Sequence, residues 1–215
     1  MENILEKALN FLFPKTESEV LVERAELLEL LERLSKGLET PDGVRAFLPY
    51  KDKLTRAVIH SLKYKGGGKA SSLLADVFLS ELIEDLGEKM EWRGKEKTIL
   101  IPIPMSKKRR LERGFNQTEL LAEAIMKRGG EDFFYYLPSA LQKDDRALPQ
   151  TSIKKRSERL KNMAGVFKLT ESEKIKGRSI ILLDDVTTTG ATLLEARKVL
   201  LQGGAKSVMC VAVAH

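Results

Sequence analysis

The sequence predicts an α/β fold with a parallel sheet flanked by helices, and three observations carry that expectation. Ile180-Ile181-Leu182-Leu183 is an unbroken apolar run bounded by polar residues, the pattern of a short strand buried on both faces. A helical stretch, Ala191–Gln202, and a second apolar strand, Ser207–Ala214, follow it, and strand, helix, strand in that order predicts a right-handed crossover and parallel pairing. The chain has 215 residues, 42 % of them hydrophobic, enough to bury the core of one α/β domain with a small appendage. No internal repeat or low-complexity linker divides it.

The elements follow in order. Residues 1–41 read as a helical N-terminal segment, in which Thr16-Glu17-Ser18-Glu19 fits a capping box and Val20, Leu21, Leu27, Leu28, Leu31 and Leu34 recur on roughly one stripe. That stripe has two readings of equal weight, a face packed on its own domain or on a second copy of the chain. Lys53–Lys63 and Lys69–Leu86 read as helices joined by Gly66-Gly67-Gly68, a break that positive-φ residues favour. Thr98–Ile103 is an expected strand, and Asn116–Arg128 an expected helix closed by Gly129-Gly130. Phe133–Leu137 and Val166–Leu169 are expected short strands. Gly203-Gly204 ends the Ala191–Gln202 helix.

Chemistry concentrates where the apolar run ends. Asp184 and Asp185 fall at the carboxyl end of the strand, the position at which open α/β sheets bind ligands, and the next helix points its free N–H groups and positive dipole end at the same place. Thr187, Thr188, Thr189 and Thr192 offer hydroxyl donors, and Gly190, before Ala191, lets the backbone turn so that N–H groups converge on a phosphate. Ionised Asp only accepts, so the pair suits a ribose diol, directly or through a divalent cation. A sugar phosphate satisfies both ends. An ordinary capped turn would need one cap rather than this many polar groups. A P-loop reading of the acidic strand fails because Lys63–Ala70, its nearest phosphate-loop candidate, lacks the opening glycine at Lys63 and the hydroxyl residue at Ala70.

The segment Ile180–Thr192 is similar to the phosphoribosyl-diphosphate (PRPP) binding motif of type I phosphoribosyltransferases. With Ile101-Pro102-Ile103-Pro104, Arg109-Arg110-Leu111, Arg113-Gly114-Phe115-Asn116-Gln117, Pro149-Gln150, Arg156, Asn162 and Gly165-Val166-Phe167, the chain resembles the ComF family of competence-associated, phosphoribosyltransferase-like proteins over residues 42–215. The resemblance implies a type I phosphoribosyltransferase fold for that domain. It implies that Asp184 and Asp185 hold the ribose hydroxyls of PRPP and meet Mg²⁺ indirectly, through the PRPP–Mg complex. It also implies that Thr187–Thr192 cradle the 5′-phosphate and that Ser106, Lys107, Arg109, Arg110 and Arg113 face the pyrophosphate, where guanidinium suits bidentate contact. Lys143, Arg146 and Gln150 stand where related enzymes carry a mobile loop that closes over the site, and Arg146 is the catalytic candidate there. Lys63-Tyr64-Lys65 also resembles a ComF segment. Lys63 then stands either near the ligand or simply at a helix C-terminus, complementing its dipole. Members of the family usually open with a four-cysteine zinc module. This chain has one Cys and two His residues, so no zinc is expected and the N-terminal helix stands in the module's place.

A formal net charge of +6 favours anionic partners without choosing among them. Lys107-Lys108-Arg109-Arg110 with Arg113 forms one basic cluster, placed for pyrophosphate, though single-stranded DNA could use the same charges. Lys154-Lys155-Arg156 with Arg159 and Lys161 forms another, read as a solvated helix face apart from Arg156, which the resemblance singles out. Aromatic residues make up only 6 % of the chain and none interleave with a basic segment, so base stacking has little support. No stretch approaches the ~20 apolar residues needed to span a bilayer, and Met1-Glu2-Asn3-Ile4 does not open a signal peptide, so a cytoplasmic location is expected. Cys210 reads as a small core hydrophobe, His60 as a packing residue, and His215 as a disordered last residue.

The expected activity is transfer of a phosphoribosyl group to or from a nitrogenous acceptor, a base or an amine, with pyrophosphate as the leaving group. The rival class is a non-catalytic regulator that keeps the pocket as a PRPP or nucleotide sensor while single-stranded DNA or a competence protein occupies the basic surface.

Overall fold

The computed structural model describes residues 15–34, 43–88, 97–144 and 165–215, with the backbone alone for 83–88. Its centre is a five-stranded sheet of β1 (Val44–Leu48), β2 (Thr98–Pro102), β3 (Phe134–Tyr136), β6 (Ser179–Val186) and β7 (Ser207–Ala214), in the order β1-β7-β6-β2-β3. Every pairing in it is parallel. β4 (Leu141–Lys143) and β5 (Phe167–Leu169) form a separate antiparallel pair. This is the architecture of a type I phosphoribosyltransferase fold.

Both sheet faces are dry, and strand alternation divides the core in two. Leu100, Ile181, Leu183, Val211 and Val213 face the helices α3 (Lys53–Lys65), α4 (Lys69–Glu88) and α6 (Gln117–Lys127). Ile99, Ile101, Ile180, Leu182, Cys210 and Ala212 face α8 (Ala191–Gln202) and the β4–β5 pair, with the short α7 (Ser172–Ile175) at the edge. Cys210 is buried with its Sγ 3.7 Å from the Leu193 carbonyl oxygen, and burial pushes its thiol up to about 12, the behaviour of an inert core residue.

Among the described residues, the N-terminal segment forms two helices, α1 (Glu17–Arg24) and α2 (Leu27–Leu31). The capping box is formed by Thr16 and Glu19. Of the leucine stripe, Leu21, Leu27, Leu31 and Leu34 pack partly buried against the core shared with α3 and α4 and Leu28 is left exposed, while the buried residues of this segment, Val22, Ala25 and Leu30, lie off the expected stripe. Residues 1–14 and 35–42 lie outside the described residues. His215 is tethered rather than disordered. Its N–H donates to the Leu48 carbonyl, its own carbonyl accepts from Tyr50 N–H, and its Nδ1 lies 3.1 Å from the Thr187 carbonyl oxygen, extending the β1–β7 ladder. Among the described residues no helix is long and apolar enough to cross a membrane.

Candidate functional site

The connections leaving β6 and β2 diverge: β6 runs through α8 to β7 on one side, and β2 runs through α6 to β3 on the other. A crevice therefore opens at the carboxyl ends of these two neighbouring strands, the topological switch point at which such sheets bind ligands. A pocket of about 480 Å³ occupies it. That size fits a small phosphorylated ligand.

β6 supplies the floor. Asp184 is partly accessible and Asp185 is buried, and Asp184 Oδ1 accepts from the Asp185 N–H at 2.8 Å. Burial, then the neighbouring Asp185 charge, hold the Asp184 carboxyl well above the usual carboxylate range. The loop beyond, Thr187–Gly190, is held by its own hydroxyls: Thr187 Oγ1 accepts from Gly190 N–H at 3.1 Å, and Thr187 N–H donates to the Ala214 carbonyl at 2.9 Å. Gly190 is the N-cap of α8 at φ 72°, Ala191 N–H donates to the Thr189 hydroxyl at 3.4 Å, and Gly190, Ala191 and Thr192 line the pocket, so the N-terminus of the helix opens on it. A Cβ at Gly190 would lie 3.1 Å from Val44 Cγ2 in a backbone region that L side chains rarely adopt. Gly190→Ala is therefore expected to cost about 1–2 kcal/mol, read as a fall of about 2–8 °C in thermal denaturation.

The facing wall comes from the loop after β2. The structure corrects the expected loop: Lys107–Arg113 is a seven-residue helix, α5, with Ser106 as its N-cap, and none of its side chains is buried. Two residues that sequence reasoning did not place in the site pin this wall. Asn116 Nδ2 donates to the Ile103 carbonyl at 3.1 Å, and the Thr118 hydroxyl lies 2.7 Å from the same oxygen. Both side chains are buried, so the Ile103–Ser106 turn is fixed from behind. In the sequence they were signalled only by their polar character just past a basic run and, for Asn116, by its place in the Arg113–Gln117 segment that carries the family resemblance.

Of the candidate residues, Lys63, Ser106, Arg109, Arg113, Lys143 and Asp184 through Thr192 line the pocket together. Lys107 and Arg110 do not line it. Arg110 instead makes a two-pronged contact to Glu119, at 3.0 and 2.7 Å, which holds α5 against α6. Arg113 lies over the Tyr64 ring, 5.2 Å from its centroid, and its Nη1 donates to Gln117 Oε1 at 2.5 Å. Lys63, in the last turn of α3, lines the pocket: its Nζ is 2.9 Å from Asp185 Oδ2, an ion-pair distance without hydrogen-bond alignment. Gly66, at φ 72°, ends α3 directly after this turn and leaves Lys63 and Tyr64 facing the crevice. His60 packs on Tyr64, with ring centroids 4.6 Å apart. Arg146 and Gln150, with Pro149, Arg156 and Asn162, lie outside the described residues, as does the second basic cluster.

A pocket with two carboxylates on its floor, a hydroxyl and amide cradle at one end and Arg109, Arg113, Lys143 and Lys63 around it can hold an anion and a diol at once. The family model for the phosphoribosyl transferase domain matches residues 126–215. Competence protein ComFC of Streptococcus pneumoniae is 37 % identical over 146 residues, 68 % of this chain and 57 % of that protein. DNA utilization protein YhgH of Escherichia coli O157:H7 is 27 % identical over 154 residues, 70 % of this chain and 63 % of that protein. The match thus spans less than two thirds of either relative. A solved hypoxanthine phosphoribosyl transferase from Trypanosoma cruzi aligns with 74 % of this chain and 64 % of its own at 12 % identity, with a TM-score of 0.40, too loose a likeness to add to the family match.

Proposed function

The chain belongs to the ComF family of phosphoribosyltransferase-like proteins, and from that premise we propose that it binds PRPP with Mg²⁺ and transfers the phosphoribosyl group to, or from, a nitrogenous acceptor. The observation that carries this reading is the placement of the Asp184–Asp185 pair and the Thr187–Thr192 cradle in one pocket with Arg109 and Arg113. In it, Asp184 and Asp185 accept from the ribose hydroxyls and fix the ring. Thr187–Thr192 hold the 5′-phosphate by hydroxyl and amide donors. As the bond from the anomeric carbon to the diphosphate breaks, negative charge grows on the departing oxygens, and Arg109 and Arg113 are placed to stabilise it more than the ground state. One or two protein carboxylates beside substrate phosphates are the oxygen donors that Mg²⁺ takes, so the acidic pair fits that ion. When bound, it supplies further neutralisation of the leaving diphosphate. The relatives' names concern competence and DNA utilisation, and we read this chain as serving the same process from the cytoplasm.

The test is calorimetry with PRPP and Mg²⁺, followed by pyrophosphate release across a panel of bases and amines. Binding with turnover on at least one acceptor is the expected result. Tight binding with no turnover on any acceptor would assign a sensor instead, and no binding would end the reading. Because Arg113 lines the pocket and Arg110 is held by Glu119, Arg113→Ala is expected to weaken PRPP binding roughly 10–100-fold, the worth of a charge-assisted contact. Arg110→Ala is expected to weaken it by less than about threefold, as for an exposed ion pair. Parallel titrations check the difference.

A further inference from the structure

The contact between Lys63 and Asp185 ties the last turn of one helix to the floor of the pocket, and a structural ion pair is its plain reading. Its place argues for more. Asp185 is 6 % exposed at its side chain and Lys63 24 %, so the ammonium and carboxylate meet in a largely dry setting where charge is poorly screened. We propose that Lys63 is a resident counter-ion that keeps bare divalent metal off the Asp184–Asp185 pair, so that the metal is admitted only together with the diphosphate-bearing sugar. The inference rests on the proposed PRPP–Mg reading and concerns how that complex enters.

The argument is one of competing charges. A bare dication approaching Asp185 meets the ammonium already at 2.9 Å and has nothing to offer it in exchange. A metal that arrives on a diphosphate brings anionic oxygens, which give the displaced ammonium a new partner beside Arg109 and Arg113. Lysine suits this exchange better than arginine would, being a compact point charge on a flexible stem with no fork to realign. Lys63 sits in the last turn before the left-handed Gly66, and Tyr64 beside it also lines the pocket, so the ammonium is delivered from the rim rather than from the core. Without Lys63 the same two carboxylates become an acidic pair with one less counter-charge, and their affinity for a hard cation rises.

The experiment titrates Mn²⁺ alone, with no PRPP present, into the wild type, Lys63→Met and Lys63→Arg, reading free Mn²⁺ by electron paramagnetic resonance. The wild type and Lys63→Arg are expected to leave the ion free at concentrations where Lys63→Met binds it at least tenfold more tightly. Adding Asp185→Asn to Lys63→Met is expected to abolish the gained site. A purely structural ion pair would cost stability and leave Mn²⁺ affinity unchanged, so a Lys63→Met protein that binds Mn²⁺ no better than wild type overturns the proposal. If Lys63→Met does not fold, Lys63→Gln carries the same expectation and the same overturning result. A wild type that fails to bind PRPP with Mg²⁺ while Lys63→Met gains Mn²⁺ would refute the proposed function and leave the counter-ion role of Lys63 standing. Binding of PRPP with no gain in Mn²⁺ affinity would do the reverse.

Discussion

Asp184→Asn combined with Asp185→Asn is expected to weaken PRPP–Mg binding by at least ~100-fold, from the loss of two charged acceptors at about 1.5–3 kcal/mol each. Calorimetry of the double variant against the wild type measures it directly. Asp184→Asn alone should also make the folded protein harder to melt. Burial and the adjacent Asp185 raise the Asp184 carboxyl above its ordinary range. A carboxyl raised on folding binds its proton more readily in the native state than in the unfolded one. Its contribution to stability is therefore fully present below the unfolded value and is lost as pH rises through the folded value. Asp184 therefore opposes folding once the pH is above the unfolded value, and Asp184→Asn alone is expected to raise the melting temperature while lowering ligand affinity. Gain of stability with loss of binding is the signature of a group kept for its ligand rather than for the fold. A single variant that loses both would instead make Asp184 a structural residue.

The site was legible where a local pattern and a chemical need coincide. Ile180–Leu183 read as a doubly buried strand because four consecutive apolar residues bounded by polar ones and followed by a turn-rich loop fit a short strand of a parallel sheet. The Asp-Asp and Thr-Thr-Thr-Gly that follow then had to sit at its carboxyl end. β1 was harder to see. Its Val-Arg-Ala-Phe-Leu run places Arg45 on an edge strand, and the partner that makes it a strand, β7, is more than 150 residues away in sequence. α5 was illegible for a different reason. Lys107–Arg113 buries nothing, so it carries no apolar periodicity, and its helix depends on the Ser106 cap and on Arg110 bound to Glu119 across a turn. Lys63 fitted two readings equally because a basic residue in a last helical turn is ordinary. The packing that brings the end of α3 over β6 is what places it in the pocket wall beside Asp185.

The largest stability effect is expected at Phe78, in the middle of α4. It is fully buried and meets Phe47 of β1 and Phe134 of β3 edge to face, at centroid distances of 6.0 and 6.1 Å. Those two strands are the opposite edges of the five-stranded sheet. One ring thus contacts both margins of the sheet from a single helix, and the core on that face also holds Leu30 from the N-terminal helices. Phe78→Ala removes the ring and leaves a void that strands on both sides would have to collapse into together, which a hydrogen-bonded sheet resists. The cost is expected at about 3–5 kcal/mol, the range for deleting a buried phenyl group, with the edge-to-face pairs adding to simple burial. Urea unfolding should show it as a lower midpoint at unchanged slope. Phe78→Leu, which keeps most of the volume, should recover more than half of the loss. The pocket lies at the carboxyl ends of β2 and β6 rather than beneath α4, so the folded fraction of Phe78→Ala should bind PRPP as the wild type does. A variant that is as stable as the wild type would mean that this helix does not span the sheet. One that folds but has lost its ligand would mean that the packing of α4 sets the geometry of the site.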